Sequence, residues 1–199
     1  MPITLAEADQ IVLKIRPILA AVAREYDVKK YPAHEYHVLR DQFAAVTATR
    51  ASIEQALVWK WGHWDKPNYP QRHRLLIAEI QALWTHFSVS EAREQPHDTF
   101  AWWQGRLGRA TTYITAAFIT HLVHHARPLP IIDQHNYRAM NALIASVRPG
   151  YRYKKKPSNW GDVASLKSFM GLLCDRLPEV GFGDLDRFLM MYGRNHVVR

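Results

Sequence analysis

Cysteine is nearly absent from this chain, since Cys174 is the only one among 199 residues. A single cysteine excludes both an intrachain disulfide framework and a four-cysteine iron–sulfur cluster. The sequence also lacks an apolar run long enough to span a bilayer, and its first residues show no basic segment followed by an apolar one. We therefore expect a soluble protein without a membrane partner, located in the cytoplasm or, in a bacterial cell, on the nucleoid.

Acidic residues are also scarce relative to basic ones. The chain has 18 aspartates and glutamates against 26 lysines and arginines, which gives a net charge of +8. This imbalance favours a polyanionic partner. Seven tryptophans, nine tyrosines and eleven histidines add aromatic faces among the cations, and such faces suit unstacked bases. The plainer alternative is that most of the tryptophans lie in the core.

Alternation of apolar and polar residues is missing throughout, so the sequence predicts an all-α fold of about eight to ten helices. Thr4-Leu5-Ala6-Glu7 is a capping box that opens a first helix running to about Tyr26, with a kink expected at Pro17. Further helices are predicted over 34–46, from a Ser52 cap to about 61, and over 71–87, 99–104, 109–125, 134–147, 159–173 and 184–192. Pro96 is expected to end a short polar turn, and Gly105 and Gly108 to break the helix over 99–104.

One stretch interrupts the helical pattern with aromatic, basic and helix-breaking residues. It reads Gly62-His63-Trp64-Asp65-Lys66-Pro67-Asn68-Tyr69-Pro70, which is typical of a loop. Loops carry function more often than the elements they connect. At helical spacing Trp61 points away from Trp59, so at least one of these two rings is expected to face a cleft or the solvent.

A second stretch, 128–140, organises the rest of the chain. Pro128 and Pro130 disfavour a helix through Leu129, and a periodic segment resumes at Gln134. Asp133 therefore occupies an N-cap position, where its carboxylate accepts backbone N–H bonds at the positive end of the helix dipole. For an isolated aspartate before a helix, the plain interpretation is a cap with no further role.

Two segments change that interpretation, because together they carry a family resemblance. Ile114-Thr115-Ala116-Ala117-Phe118 and Pro130-Ile131-Ile132-Asp133-Gln134-His135-Asn136-Tyr137-Arg138 span about an eighth of the chain. This pattern resembles the end of the helix-hairpin-helix motif in base-excision DNA glycosylases, the HhH-GPD superfamily. The resemblance implies one all-α glycosylase-like domain over 1–199, with two helical lobes flanking a cleft and the hairpin and aspartate region at about 100–150.

The resemblance also implies a chemical role for Asp133, because the aspartate after the second hairpin helix is catalytic in that superfamily. A fixed carboxylate stabilises the oxocarbenium-like charge that develops on the sugar when a base leaves. Members that also cut the strand carry a lysine directly before the Thr-Ala pair. Here that position is Ile114, which cannot form a Schiff base. The expectation is a monofunctional enzyme that needs no cofactor and no iron–sulfur cluster. Lys60 is the alternative nucleophile, although a phosphate or base contact is the favoured role for it.

The hairpin itself departs from the family, because the usual Leu-Pro-Gly-x-Gly turn is absent. Two glycines and two arginines stand there instead and can bind phosphate through side-chain charge and backbone N–H groups. A simple interhelix turn is the alternative. A downstream lysine run is either a phosphate-contacting loop or a solubility feature. The candidate DNA-contacting residues are Gly105, Arg106, Gly108, Arg109, Lys154, Lys155 and Lys156.

A flipped base needs aromatic walls and polar groups that read its edge. The aromatic candidates lead from a helix end into the Gly62–Pro70 loop, and the polar ones follow Asp133. The candidate substrate-binding residues are Trp59, Lys60, Trp61, His63, Trp64, Gln134, His135 and Tyr137.

His121, His124 and His125 share one helix face, a spacing that permits a metal site. No acidic general base accompanies them and Arg127 lies close by. We therefore expect no metal, and histidines that face solvent or DNA.

The function these patterns favour is a DNA glycosylase that flips a damaged or modified base and hydrolyses its N-glycosidic bond, leaving an abasic site. DNA is the expected partner, and no obligate protein partner is evident. The rival is a non-catalytic DNA-binding protein on the same scaffold. A nuclease is less favoured, since no acidic cluster for a divalent metal stands out. The pattern does not identify the base.

Overall fold

A computed structural model describes residues 3–108, 112–152, 154 and 156–197, and the regular structure of these residues is helical. Within these residues there is no strand, which confirms the predicted all-α class. The α-helices of the described residues are α1 Leu5–Ile15, α2 Leu19–Ala23, α3 Ala33–Ala44, α4 Arg50–Lys60, α5 Gln71–Ser88, α6 Pro96–Leu107, α7 Tyr113–Val123, α8 Gln134–Ala145, α9 Trp160–Cys174 and α10 Phe182–Met191. A 3₁₀ turn, Glu91–Arg93, precedes α6, and a π-helical turn, Tyr192–His196, follows α10.

The first predicted helix is two helices in the structure. The Thr4 capping box is present as predicted: Glu7 N donates to Thr4 Oγ1 at 3.2 Å, and Thr4 N donates to Glu7 Oε2 at 2.7 Å. However, α1 ends at Ile15 and α2 begins at Leu19. Pro17 lies between them, and it supplies no N–H for the helical ladder. It therefore breaks the helix rather than kinking it.

Three further helix boundaries correct the sequence predictions. The N-cap of α4 is Thr49, and Ser52 is the third helical residue that completes a reciprocal capping box with it. Pro96 begins α6 instead of ending a turn, since the first helical position tolerates a missing N–H. Gly105 lies inside α6, and only Gly108, at φ +61°, ends it.

The chain forms two compact units. One, the inserted unit, is Asp27–Arg127, and the other, the terminal unit, combines Met1–Tyr26 with Pro128–Arg199. The predicted hairpin and aspartate region at about 100–150 is therefore divided, with α6 and α7 in the inserted unit and Asp133 in the terminal one. Pro128 and Pro130 lie at this boundary, where they favour extended backbone.

Each unit has its own core. In the inserted unit Trp103 is fully buried, with its ring centroid 5.1 Å from that of Phe87 and 6.1 Å from that of Trp84. There α7 packs against α3 and α6. In the terminal unit α8 packs against α10 and the π-helical turn, and α9 packs against α1. Burial of these apolar faces stabilises each unit by roughly 25 cal/mol per Å² removed from water.

Candidate functional site

Asp133 is the N-cap of α8, as predicted from the sequence. Its Oδ1 accepts the backbone N–H of His135 at 2.7 Å and that of Asn136 at 3.0 Å. In return Asn136 Oδ1 accepts the N–H of Asp133 at 2.8 Å, which completes a capping box. The carboxylate is thus fixed at the positive end of the helix dipole while the residue stays half-exposed.

The first turn of α8 is held from two sides, which fixes Asp133 further. The Asn136 side chain is buried and donates through Nδ2 to Ile131 O at 2.6 Å and to Asp186 Oδ1 at 3.3 Å. The π-helical turn lies directly against the same turn of α8: a Cβ added to Gly193 would sit 1.9 Å from His135 O. These contacts hold the first turn of α8 in place, and with it the position of Asp133.

The other predicted residues of α8 differ in exposure. Gln134 is exposed and His135 is half-exposed. Tyr137 is buried, and its hydroxyl donates to Asp162 Oδ1 at 2.9 Å. Burial and then the Asp162 carboxylate raise the pKa of Tyr137 well above its ordinary value. Of the three, only Gln134 is fully exposed at the Asp133 end of the helix, since the Nδ1 atom of His135 is buried.

Trp59 is a core residue, which corrects its expected place as the wall of a base pocket. It is 6% exposed, and its Nε1 donates to Pro32 O at 3.0 Å. The rings of Tyr36 and Phe118 stack with it at centroid distances of 4.8 and 6.0 Å. The neighbouring Lys60 is half-exposed, with its ammonium 5.6 Å from the Phe118 ring centroid.

Trp61, His63 and Trp64 are half-exposed, and the first two join a larger aromatic cluster of the inserted unit. The Trp61 ring stacks on His73 at 4.0 Å, and His63 Nε2 lies 3.2 Å from His73 Nδ1. His63 also stacks on Tyr69 at 6.1 Å. We call Trp61, His63, Tyr69, His73 and Arg74 the loop cluster.

Positive charges lie within and beside the loop cluster. The Arg74 guanidinium lies 5.4 Å from the centroid of the Tyr69 ring. Burial lowers the pKa of His63, and the charges of Lys66 and Lys30 lower it further. Burial also lowers the pKa of His73, followed by the effect of His63. Sequence reasoning missed Tyr69, His73 and Arg74 as site residues; the signal was present in the density of aromatic and basic residues around the loop.

The predicted DNA-contacting residues are not equally placed. Arg106 is exposed, with its guanidinium 4.4 Å from the centroid of the Trp102 ring. Gly105 and Gly108 are exposed, while Arg109 lies outside the described residues. Lys154 is not a purely solvated lysine, because its Nζ donates to the buried Asp162 at 2.9 Å. Lys156 is exposed, and Lys155 lies outside the described residues.

His121 and His124 are buried, which corrects the expectation that they face solvent or DNA. His121 Nε2 is hydrogen-bonded to the Tyr36 hydroxyl. Thr99 Oγ1 donates to Ala92 O and lies 2.8 Å from His124 Nε2, so the histidine N–H donates to that hydroxyl. Burial lowers the pKa of His124 to about 4. The described residues contain no group of three side chains suited to a metal ion.

Asp162 was not predicted as a functional residue, yet it is a buried carboxylate at the centre of a hydrogen-bond network. It is the third residue of α9, in a capping box with Asn159. The pattern Asn159-x-x-Asp162 was the available sequence signal. Its other partners, Tyr137 and Lys154, come from distant or irregular segments that no local pattern identifies.

No family model, curated protein or solved structure matches the chain. Among the described residues, none of the helices combines the length and the apolar character needed to cross a bilayer.

Proposed function

We propose that the protein is a monofunctional DNA glycosylase that flips a damaged or modified base and hydrolyses its N-glycosidic bond with Asp133. One observation carries this proposal. The Asp133 carboxylate is held in place by two backbone N–H donors and the Asn136 capping box, and the residue is still partly exposed. A carboxylate of this kind acts on charge that develops in a transition state without reorganising first.

The chemistry follows from the charge on the sugar. As the base leaves, the sugar becomes oxocarbenium-like, and a carboxylate about 4 Å away stabilises it by roughly 4 kcal/mol at an effective dielectric of 20. That is about a thousandfold in rate. The same carboxylate orients the attacking water. Ile114, in α7, carries no amine, so strand cleavage through a Schiff base is not expected.

DNA binding is supported by charge and by exposed aromatic side chains. The net charge is +8, and Arg106, Lys66 and Lys156 are exposed. The half-exposed Trp61 and Trp64 can stack on unpaired bases, while neighbouring cations contact phosphates. With Trp59 in the core, base stacking is assigned to Trp61 and Trp64.

A second candidate is a non-catalytic DNA-binding protein on the same scaffold. It is favoured by the α6 boundary: the helix continues through Gly105 to Leu107, so Gly105 does not contribute to a phosphate-binding turn. Such a protein would bind DNA without releasing a base.

Base release separates the two candidates. The protein and its Asp133→Asn variant are incubated with DNA carrying modified bases, and abasic sites are revealed with alkali. Asparagine is as good an N-cap as aspartate, so the variant keeps the support of α8 and loses only the charge. Asp184→Asn, an exposed first-turn carboxylate of α10, is the matched control.

Alkali-dependent cleavage by wild type and Asp184→Asn, but not by Asp133→Asn, supports the glycosylase. Cleavage without alkali would contradict the monofunctional assignment and point to Lys60. DNA binding without base release on a broad panel favours the non-catalytic protein.

A further inference from the structure

The terminal unit contains a cavity of about 220 Å³ that no part of the proposed function uses. Its lining divides into apolar side chains, which we call the floor, and polar or charged side chains, which we call the rim. The floor is formed by Ile3, Met140, Ile144, Phe169 and Leu172; the remaining lining residues are Tyr137, Asn141, Tyr151, Arg152, Lys154, Asp162, Ser165 and Ser168. Of the rim, Arg152, Lys154, Ser165 and Ser168 are exposed, so the cavity is reached from the solvent on that side.

One wall of the cavity is ordered by hydrogen bonds between its own side chains. The Tyr151 hydroxyl donates to Asn141 Oδ1 at 2.8 Å, and Asn141 Nδ2 donates to Tyr137 O at 2.8 Å. The Tyr137 hydroxyl donates to Asp162 Oδ1, and Lys154 Nζ donates to Asp162 Oδ2, both at 2.9 Å. These side chains are held in place before any ligand arrives, which reduces the entropy lost on binding.

Two cations, Arg152 and Lys154, belong to the described lining of the cavity, and Lys154 is already paired. The buried Asp162 is balanced by Lys154, and its Oδ2 also accepts the backbone N–H groups of Ser158 and Asn159 at 2.7 and 3.2 Å. No acidic side chain among the described residues pairs with Arg152, which stands at the rim. A guanidinium binds carboxylate or phosphate through paired N–H donors, and the Ser165 and Ser168 hydroxyls add donors nearby.

We propose that this cavity binds a small amphipathic anion. Its single apolar ring lies on the floor, against Met140 and Phe169, and its one carboxylate or phosphate pairs with Arg152. The volume sets the size of the ligand. At about 220 Å³ the cavity lies below the roughly 300–1,000 Å³ of sites for larger ligands. The proposal does not depend on Asp133 or on DNA binding.

Titration calorimetry and thermal shift on the full chain test the proposal with four probes. Benzoate and phenyl phosphate carry both features, benzamide has the ring without the charge, and inorganic phosphate has the charge without the ring. We expect saturable binding of benzoate or phenyl phosphate, with the midpoint of thermal unfolding rising as the site fills. The stronger of the two identifies the anionic group.

Arg152→Gln is expected to weaken that binding at least about tenfold, because the charge-assisted pair is lost. Arg194→Gln, an exposed arginine of the same unit outside the cavity, is the matched control and should bind as wild type does. Both are surface changes, and their unfolding midpoints without ligand verify folding. Asp133→Asn should bind the probes normally even if it releases no base.

Three results would overturn the proposal. The first is no saturable binding of either amphipathic anion at millimolar concentration. The second is that benzamide or inorganic phosphate binds as tightly as the amphipathic anions, which would mean that the cavity does not require both the ring and the charge. The third is unchanged affinity in Arg152→Gln, which would place the binding elsewhere.

Discussion

Replacing Asp162 by asparagine tests whether the buried network stabilises the terminal unit. Four donors converge on this carboxylate, which is 6% exposed. They are the Tyr137 hydroxyl, Lys154 Nζ, and the backbone N–H groups of Ser158 and Asn159. An amide has one oxygen, so its NH₂ must face the donors of either Oδ1 or Oδ2. Each buried donor left without an acceptor costs about 1–3 kcal/mol, and breaking a buried ion pair costs about 3–5 kcal/mol. Because Lys154 is 49% exposed and can turn to water, we expect a loss of about 3 kcal/mol.

Urea denaturation measures this loss as a change in the free energy of unfolding. Asp184→Asn is the control, since its carboxylate is exposed and pairs with the exposed Arg187; we expect a loss of less than about 0.5 kcal/mol there. A double-mutant cycle with Tyr137→Phe should give a coupling of about 0.5–3 kcal/mol. If Asp162→Asn destabilises no more than Asp184→Asn, the network is not a stabilising feature and the reasoning fails.

The same carboxylate predicts a pH dependence. Burial acts to raise the pKa of Asp162, but the hydrogen bonds from Lys154, Ser158 N and Tyr137 outweigh it and hold the pKa below its ordinary 3.8. A lowered folded-state pKa adds stability that is present above the ordinary pKa and is lost as the pH falls through the folded-state value. Wild type should therefore lose this contribution below about pH 4, whereas Asp162→Asn should not.

Two further predictions concern the support of α8 and the core of the inserted unit. Gly193→Ala should destabilise the protein by about 3 kcal/mol or more, because the added Cβ would lie 1.9 Å from His135 O. The control, Gly171→Ala, places its Cβ where no atom lies within 4 Å and should stabilise the protein by up to about 1 kcal/mol. Equal changes in the free energy of unfolding, measured by urea denaturation, would refute this prediction. Burial, and then the charge of Arg127, lower the pKa of His124 from 6.5 to about 4, so stability present above pH 6.5 should fall as the pH falls toward 4. A ring titration of His124 by NMR at an ordinary midpoint would contradict it.

Local features of the fold were readable from the sequence because their causes are local. The Thr4 box and the Asp133 cap each depend on residues within three positions, so spacing alone predicts them. The predictions at Pro96 and Gly105 were wrong because they considered the type of residue and not its position in the helix. Pro96 is tolerated at the first helical position and Gly105 costs only about 1 kcal/mol in a helix interior, so neither ends α6.

Burial in the inserted unit could not be read from spacing. Nearly every residue of α7 is buried, so its sequence has no polar face that would show which histidines reach the core. His121 depends on Tyr36 and His124 on Thr99, partners 85 and 25 residues away. Trp59 likewise depends on Pro32, from the segment before α3. Contacts of this kind depend on tertiary packing, and they leave no periodic pattern in a single sequence.

Asp133 caps α8, and the proposed function gives its carboxylate a second role that can be separated from the first by substitution. A cap requires only an oxygen that accepts the N–H groups of His135 and Asn136, and asparagine supplies one. Catalysis requires the negative charge, which asparagine lacks. Asp133→Asn should therefore keep its stability within a few tenths of a kcal/mol and lose base release, whereas Asp133→Ala should lose about 1 kcal/mol of stability as well. If base release survives in Asp133→Asn, this carboxylate is a cap alone, and catalysis must be sought at another residue.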